Sequence, residues 1–424
     1  MSIVAPSLRE FLNRSGFEPA EYSTIAGRDF KHRGHAGGGG PDNTLNGRIE
    51  TFMDQRIYLD YNATAKIRPE VIDALASAMA TVGNASSVHG AGRDARQSVE
   101  KARRLVAMLV GAAPNQVVFT SGGTEADNQV MRPCDPTRTF VSAIEHPAVL
   151  DSCPGANLVL VDEQGVIDLA ALDAALAAAD DPQMVALMLA NNETGVLQPV
   201  VEAAEIAHRY GASFHCDAVQ AVGKVPVDFD ALGVDTLALT GHKFGGPQGI
   251  GALVVRTPDS ANCFMRGGGQ ERGLRGGTES VPHIVALGRA AEVAVERMDG
   301  YAALADLRDR MEARLIQATP GMRVFGGDAQ RLPNTSKLMM PGVSSETQVM
   351  SFDLAGIDVS AGSACSAGRI EPPYVLTAMG VSDADALCAL RVSLGWDTTD
   401  DDIDRFIAEW GRIFERAGKT RAAG

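Results

Sequence analysis

The pattern of hydrophobic and polar positions predicts alternating helices and strands from residue 69 onward. Apolar residues recur at helical spacing over Pro69 to Met79 and Ala95 to Val110, and again over 168–179 and 200–210. Short β-rich runs separate these segments at Val117 to Phe119, Thr139 to Val141, Leu158 to Val161, Val185 to Leu189 and Ser213 to Cys216. This alternation predicts an α/β fold whose mainly parallel sheet carries helices on both faces.

The second half of the pattern predicts a smaller unit. Leu237 to Leu239 and Ala252 to Val255 read as a buried antiparallel pair around a turn, and one long helix is expected over 283–317. After this helix come strand-like runs at 336–340 and 390–394 and a final helix near 401–416. A further strand is expected at Ile57 to Tyr61, before the first helix. A chain of 424 residues is long for a single core, so two domains are expected.

Residues 1–50 differ from the rest because they contain Gly37 to Pro41 and no sustained periodicity. We expect a poorly ordered extension there. Met53, which immediately precedes the first strand-like run, is an alternative start.

Composition narrows the classes of function. Hydrophobic residues make up 45% and charged residues 21% of the chain, and the net charge is −15. This charge argues against nucleic acid or an anionic membrane surface as a partner, and no apolar run reaches the roughly 20 residues of a membrane span. The six cysteines form no C-x-x-C pair, which gives a zinc site little support. A large chain with few cysteines is expected to be cytoplasmic, with reduced thiols.

Lys243 is the most informative candidate, because it lies in a glycine-framed turn between two apolar runs. Burying an ammonium group is costly, but a lysine that forms a Schiff base with an aldehyde cofactor escapes that cost. Asp217 at the end of a strand would then pair with the ring nitrogen of pyridoxal 5′-phosphate (PLP), although a helix N-cap explains such an aspartate equally well.

Other strand ends carry candidates with two interpretations each. The turn Thr120 to Glu125 offers backbone N–H groups for a phosphate or a simple helix cap. His146 is either an ordinary loop residue or an imidazole stacked on a cofactor ring. Asn192 could close a turn, or it could bind a substrate carboxylate or the phenolic oxygen of the cofactor. The glycine-rich loop Gly267 to Thr278 is flexible or cradles an anion.

Two further candidates lie near the end of the chain. Cys365 is surrounded by small residues from Ser360 to Gly368, a setting that favours a reactive thiol over a structural one. Arg391 lies in a strand-like run, where its guanidinium would hold a carboxylate or form an inter-strand ion pair.

Together, in this order, these stretches resemble the cysteine desulfurase family of the nitrogen-fixation and iron–sulfur type, within the class V aminotransferase-like, fold type I PLP enzymes. The resemblance covers about residues 57 to 416. The matching stretches are Tyr58 to Thr64, Thr120 to Asn128, Glu145-His146, Asn191 to Gly195, Asp217 to Gly223, Gly241 to Gly251, Gly267 to Thr278, Gly362 to Cys365, Glu371 to Leu376 and Arg391 to Gly395.

The resemblance implies a role for each matching residue. Lys243 would hold PLP and move protons, Asp217 would pair with the pyridine nitrogen, Gln220 would bind the phenolic oxygen and His146 would stack on the ring. The phosphate would lie against Gly123, Thr124, Thr240 and His242, with Thr278 from the second subunit of a homodimer. Asn192 and Arg391 would hold the substrate carboxylate, with Asn84 as a helper, and Asn192 would also touch the cofactor.

The same resemblance implies a fold and an activity. Residues 71–300 would form the large PLP-binding domain, 55–70 with 301–424 the small α/β domain, and 1–54 the extension. Cys365 would take sulfur from L-cysteine as a persulfide, leave L-alanine, and pass the sulfur to an acceptor such as an iron–sulfur scaffold, with a transient contact to iron. Selenocysteine lyase, another class V aminotransferase-like activity and a non-catalytic scaffold that keeps the fold are the alternatives.

Overall fold

The computed structural model describes residues 56–258, 262–362 and 371–423. From Tyr58 onward the chain forms one compact unit. The boundary between a large and a small domain near residue 300 stays a prediction. The expectations for residues 1–54 fall outside the described residues.

In the described part of the chain, a seven-stranded sheet forms the centre of the fold. Its strands are β2 (Val117–Thr120), β3 (Thr139–Ser142), β4 (Asn157–Val159), β5 (Met184–Ala186), β6 (Ser213–Asp217), β7 (Thr236–Thr240) and β8 (Gly251–Val255). They lie in the order β2-β8-β7-β6-β5-β3-β4, with parallel pairing from β4 to β7 and antiparallel pairing of β8 with both β7 and β2. The mainly parallel sheet and the antiparallel pair around the lysine turn are confirmed.

Helices flank this sheet. They are α1 (Pro69–Met79), α2 (Gly90–Leu109), α3 (Gly123–Met131), α4 (Pro147–Leu150), α5 (Leu169–Ala178), α6 (Val200–Arg209) and α7 (Phe229–Leu232). The core between helices and sheet is apolar, with Val106, Phe214 and Leu237 fully buried. Helix α2 begins five residues before the predicted start, because His89 Nδ1 accepts the Gly92 N–H at 3.3 Å and caps it.

The predicted helix over 283–317 is wrong as a single element. The chain forms three helices there, α8 (Val281–Glu296), α9 (Met298–Ala302) and α10 (Leu304–Ala318). Helix α8 ends where Arg297 leaves helical geometry, with φ −111° and ψ 10°. The apolar spacing continues through the breaks, so periodicity alone could not locate them.

A second, smaller sheet lies in the C-terminal part, in the order β12-β10-β9. Its strands are β9 (Arg323–Phe325), β10 (Thr335–Met339) and β12 (Ala389–Ser393), packed with helices α11 (Ser345–Leu354), α12 (Tyr374–Ala378), α13 (Asp383–Ala386) and α14 (Asp400–Ala423). The first strand, β1 (Ile57–Tyr58), is shorter than predicted, and Leu59 directly after it donates its N–H to Asp358 of β11 (Ile357–Asp358) at 2.9 Å. Residues 59–64 thus run beside the small sheet before the chain enters α1.

Candidate active site

A cavity of about 360 Å³ opens where strands β6 and β7 end. This is the edge at which α/β proteins bind ligands, and the volume lies in the range of roughly 300–1,000 Å³ typical of small-molecule sites. The residues around it include Gly123, Thr124, His146, Asn192, Asp217, Gln220, Thr240, His242, Lys243, Gly362 and Arg391. Most of the site residues singled out in the sequence therefore meet in one place.

Lys243 follows β7 in a single turn of 3₁₀ helix, Gly241–Lys243. Its Nζ donates to the carbonyl oxygens of Asn62 at 2.7 Å and Ala63 at 2.8 Å. Burial, and then the positive charge of Arg391, lower the pKa of Lys243 to about 8. A substantial fraction of this lysine is therefore neutral and nucleophilic at mildly alkaline pH.

Asp217, the last residue of β6, is almost completely buried at 5% exposure. Its Oδ1 accepts the Val219 N–H at 2.8 Å. Burial, followed by the nearby carboxyl group of Asp127, raises the pKa of Asp217 to about 7. A buried carboxylate in this position requires a cation that binds it from the cavity.

A layer of polar groups supports these two residues. Lys224 is buried, and its Nζ donates to Gln220 Oε1 and to Asn62 Oδ1, both at 2.7 Å. Gln220 Nε2 in turn donates to the Asn62 carbonyl at 2.9 Å. The amide of Gln220 is thereby fixed beside the cavity, with its orientation set by the lysine.

The phosphate candidates lie at the N-terminus of α3 and at the end of β7. No side chain caps α3, so N–H groups near Gly123 and Thr124 face the cavity unsatisfied by the helix itself. His242 Nδ1 lies 3.2 Å from Thr64 Oγ1, and burial lowers the pKa of His242 to about 4. Thr240 Oγ1 donates to the Ile250 carbonyl at 3.2 Å. This arrangement suits an anion bound by neutral donors and a helix dipole.

His146 lies directly before α4, and its Nδ1 accepts the Ala148 N–H at 3.1 Å. This bond leaves Nε2 as the protonated nitrogen of the neutral ring. Desolvation at the cavity wall, and to a smaller extent the charge of Lys243, lower the pKa of His146 below its usual value. The ring is therefore neutral near pH 7.

Arg391 on β12 brings the small sheet to the cavity. Its Nη2 binds Asp60 Oδ1 at 2.7 Å and its Nη1 donates to the Asn192 carbonyl at 3.1 Å. Among the described residues, Arg391 Nε and Asn192 Oδ1 are buried without a hydrogen-bond partner. Unsatisfied polar atoms at a cavity wall indicate that a ligand completes their hydrogen bonding.

Two sequence candidates lie outside this cavity, and the position of a third is not described. Asn84 is exposed, and its Oδ1 accepts the Ser86 N–H at 2.9 Å. Thr278 is exposed and does not line the cavity of this chain. Cys365 lies outside the described residues, three positions after Gly362, which lines the cavity.

The site also contains Asn62, Lys224 and Asp127, to which no role was assigned from the sequence. Asp127 lines the cavity, and its Oδ1 lies 3.1 Å from His215 Nε2. Burial raises the pKa of Asp127 to about 8. The signal available in the sequence was a lysine at 224 inside an apolar run, an aspartate at 127 in the helix after β2 and an asparagine at 62 after the first strand, but each has a common structural explanation.

Comparison with known proteins agrees with this geometry. The Aminotransferase class-V family matches residues 57–406. The chain belongs to this family, and within it to the cysteine desulfurases. A cysteine desulfurase from Cereibacter sphaeroides is 44% identical over 368 residues, which cover 83% of this chain and 94% of the relative.

Two further relatives support the assignment. The IscS-like cysteine desulfurase of Mycobacterium tuberculosis is 40% identical over 82% of this chain and 93% of its own length. The solved structure of a NifS-like protein from Rickettsia africae superposes with a TM-score of 0.80 at 34% identity, covering 85% of this chain and all of the other. The predicted fold class and the resemblance are confirmed.

The residues present fit the PLP on which this family depends. The carboxyl group of Asp217 is buried, and a protonated pyridine nitrogen would supply the cation that pairs with it. The amine of Lys243 lies in the same cavity, and the N–H groups at the start of α3 suit a phosphate.

Proposed function

We propose that this protein is a cysteine desulfurase that converts L-cysteine to L-alanine and transfers the sulfur, as a persulfide on Cys365, to an acceptor. The observation that carries the proposal is the single cavity that joins Lys243, Asp217, His146 and Arg391 with Gly362. Gly362 lies three residues before Cys365 in the sequence.

The residues that would hold the cofactor follow from the contacts. Asp217 would bind the ring nitrogen, Gln220 the phenolic oxygen and His146 the ring face. The phosphate would lie at Gly123, Thr124, Thr240 and His242. Bound there, PLP supplies an electron sink that stabilises negative charge at the Cα of an amino-acid substrate.

Arg391 and Asn192 would bind the carboxylate of L-cysteine. Arg391 Nε, a donor, lacks a hydrogen-bond partner, and the guanidinium already lies fixed by Asp60. An arginine fork favours a carboxylate over a neutral group because two charge-assisted hydrogen bonds form. Asn192 Nδ2 supplies a further donor. The exposed Asn84 would contribute only after a rearrangement of its turn.

Lys243 would transfer the protons. Its Nζ, released when substrate binds, would take the proton from the substrate Cα, and its lowered pKa of about 8 leaves the amine free to do so. The neutral ring of His146 would hold a proton on Nε2 at the same cavity wall.

Cys365 would complete the reaction as a thiolate nucleophile. Its sulfur attacks the substrate sulfur, an S–S bond forms, and the substrate C–S bond breaks with its electron pair going to carbon, which takes a proton. The sum is L-cysteine plus the protein thiol giving L-alanine plus the protein persulfide. An acceptor thiol then takes the outer sulfur and restores Cys365.

The assembly and the pathway belong to the same proposal. We place the protein in the cytoplasm as a homodimer in which the second subunit supplies Thr278, with an iron–sulfur scaffold protein as acceptor and a transient contact between Cys365 and iron. The exposed position of Thr278, outside the cavity of its own chain, supports that assembly. Every helix in residues 56–258, 262–362 and 371–423 is too short or too polar to span a bilayer. The same residues contain no group of three or more His, Cys, Asp or Glu side chains placed to bind a metal ion.

The test is a single-turnover reaction of the PLP-loaded protein with L-cysteine. Alanine is quantified and the persulfide is located by alkylation and mass spectrometry. Cys365→Ser should keep the cofactor absorbance and lose both products, whereas Cys134→Ser, which changes a half-buried thiol bonded to the Val130 carbonyl, should match the parent.

Other outcomes would contradict the proposal. Alanine released by the Cys365→Ser variant at the parent rate would remove the role of the thiol. A new amino acid formed from a keto acid would indicate an aminotransferase, and turnover restricted to selenocysteine would indicate a selenocysteine lyase.

A further inference from the structure

Two opposite charges are buried beside the cavity, and the sequence analysis gave neither a role. Lys337 on β10 and Glu193, in the loop that follows β5, form an ion pair of 2.7 Å between Nζ and Oε2. Their exposures are 0% and 3%. A buried pair recovers its desolvation cost only partly, so its presence in the wall of a site calls for a function.

The ammonium of Lys337 has a second acceptor. Its Nζ donates to the carbonyl oxygen of Ala361 at 3.0 Å. Lys337 pairs with Arg391 in the register between β10 and β12. The lysine therefore links Glu193, from the loop after β5, to the segment that precedes Gly362.

That segment is also bonded to the strand that carries Arg391. Ser360 donates its N–H to the Arg391 carbonyl at 3.2 Å, and the Arg391 N–H donates to the Ser360 carbonyl at 2.7 Å. Gly362 N–H donates to Ser360 Oγ at 3.1 Å. Each residue from Ser360 to Gly362 thus forms at least one hydrogen bond, and the bond at Ala361 comes from the side chain of Lys337.

Gly362 lies directly on the ion pair. A Cβ at this position would lie 1.9 Å from Glu193 Oε2 and 2.4 Å from Lys337 Nζ, and the residue has φ +97°. Only glycine fits both the space and the backbone conformation. The pair therefore sets how closely the backbone approaches the cavity wall.

We propose that Lys337, held by Glu193, is a positioning residue for sulfur transfer, because it fixes Ala361 and Gly362 at the cavity wall and so sets the point from which the chain runs to Cys365. The inference rests on the proposed function. Three residues reach at most about 10–11 Å when extended, so the position of Gly362 limits where the thiol of Cys365 can act.

Three variants distinguish the effect of the Lys337–Glu193 pair on sulfur transfer from an effect on the chemistry at the cofactor. Lys337→Met removes the ammonium at similar length, and Gly362→Ala pushes the backbone away from an intact pair. Arg331→Met is the matched control, because Arg331 forms a comparably buried pair with Glu312 at 2.7 Å and neither residue bonds to Ser360, Ala361 or Gly362.

Two measurements on the PLP-loaded protein distinguish the steps. Exchange of the Cα hydrogen of L-alanine with deuterium, followed by NMR, requires Lys243 but no thiol. Persulfide formation from L-cysteine in a single turnover requires Cys365. We expect Lys337→Met and Gly362→Ala to slow persulfide formation by about 10–100-fold, the effect of roughly ångström-scale misplacement. Exchange should stay close to the parent rate in Lys337→Met, because Lys337 does not line the cavity.

The double variant Glu193→Gln/Lys337→Met covers the case in which the single lysine variant fails to fold, because it removes both buried charges. It should remain slow in persulfide formation. Three results would overturn the inference. The double variant could form persulfide at the parent rate, or Arg331→Met could slow persulfide formation as much as Lys337→Met does. The third is a loss of alanine exchange in Lys337→Met as large as its loss of persulfide formation. Absence of persulfide in the parent protein would instead refute the proposed function.

Discussion

Lys243 and Gln220 share one acceptor, the carbonyl oxygen of Asn62, at 2.7 Å from Nζ and 2.9 Å from Nε2. Asn62 also binds Lys224 through its side chain and donates to Thr335 Oγ1 on β10 at 2.9 Å. One residue from the segment before α1 therefore joins the lysine turn, the end of β6 and the small sheet.

The lowered pKa of Lys243 predicts the pH dependence of cofactor recombination. The ammonium form is unreactive toward an aldehyde and the neutral amine reacts, so the rate of PLP uptake by the cofactor-free protein should rise with pH through about 8. Absorbance stopped-flow between pH 6 and 10 measures the midpoint. Arg391→Gln should move it upward, because a positive charge that favours the neutral amine is lost. A midpoint near the usual lysine pKa in the parent would contradict the burial of this group.

Asp217→Asn should weaken cofactor binding. The variant removes a charge-assisted hydrogen bond worth about 1.5–3 kcal/mol, which corresponds to roughly 10–150-fold in the dissociation constant. Equilibrium dialysis with PLP measures it, and turnover of L-cysteine should fall with it. Asp173→Asn changes a surface carboxylate that pairs with Arg209 at 3.3 Å and should bind PLP as the parent does; unchanged binding by both variants would exclude Asp217 as the ring partner.

A pair of glycines separates backbone strain from packing. Gly223 has φ +77°, and an added Cβ would lie 2.4 Å from the Cβ of Phe244, the residue after Lys243. Gly211 has φ +79° with open space around it. Gly211→Ala should cost about 1–2 kcal/mol of unfolding free energy from backbone strain alone. Gly223→Ala should cost a further 1–3 kcal/mol or so from overpacking and should also impair PLP uptake.

Chemical denaturation of both glycine variants measures the difference. Equal losses of unfolding free energy in the two variants would contradict the prediction, because the close contact between position 223 and Phe244 would then add no destabilisation.

A buried ion pair fixes the glycine-rich loop Gly267 to Thr278 to the rest of the fold. Glu271 accepts from Arg103 through both oxygens, at 2.7 and 2.8 Å, and from the Phe119 N–H at 3.0 Å. Arg103→Met leaves that carboxylate unpaired and should cost about 3–5 kcal/mol of unfolding free energy. Arg310→Met breaks an exposed pair with Asp400 and should cost no more than about 1 kcal/mol.

Urea denaturation compares the two arginine variants. A loss in Arg103→Met as small as in Arg310→Met would mean that the loop finds another partner for Glu271.

Short-range pattern was sufficient for most elements of the fold. Helix α1 begins at Pro69 and ends at Met79 as predicted, because a proline in the first turn and apolar spacing are local signals. The strand predicted over Val185 to Leu189 is shorter, Met184–Ala186. Beyond it the Leu187 and Leu189 N–H groups still bond to β6, at His215 and Asp217, which local spacing cannot reveal.

For the site, the sequence by itself determined the chemistry: a lysine between glycines, a carboxyl group at a strand end, an arginine on a late strand and a thiol among small residues. Each of these side chains indicates its chemistry by itself, because burying it without a binding partner would be energetically unfavourable or its sequence setting is unusual. Only the tertiary structure decided which of them meet. It placed Lys243, Asp217 and Arg391 in one cavity, left Asn84 and Thr278 outside, and brought in Asn62, Lys224 and the Lys337–Glu193 pair. Their partners lie up to 331 positions away along the chain, and contacts over such separations arise from packing of whole elements, which no local pattern encodes.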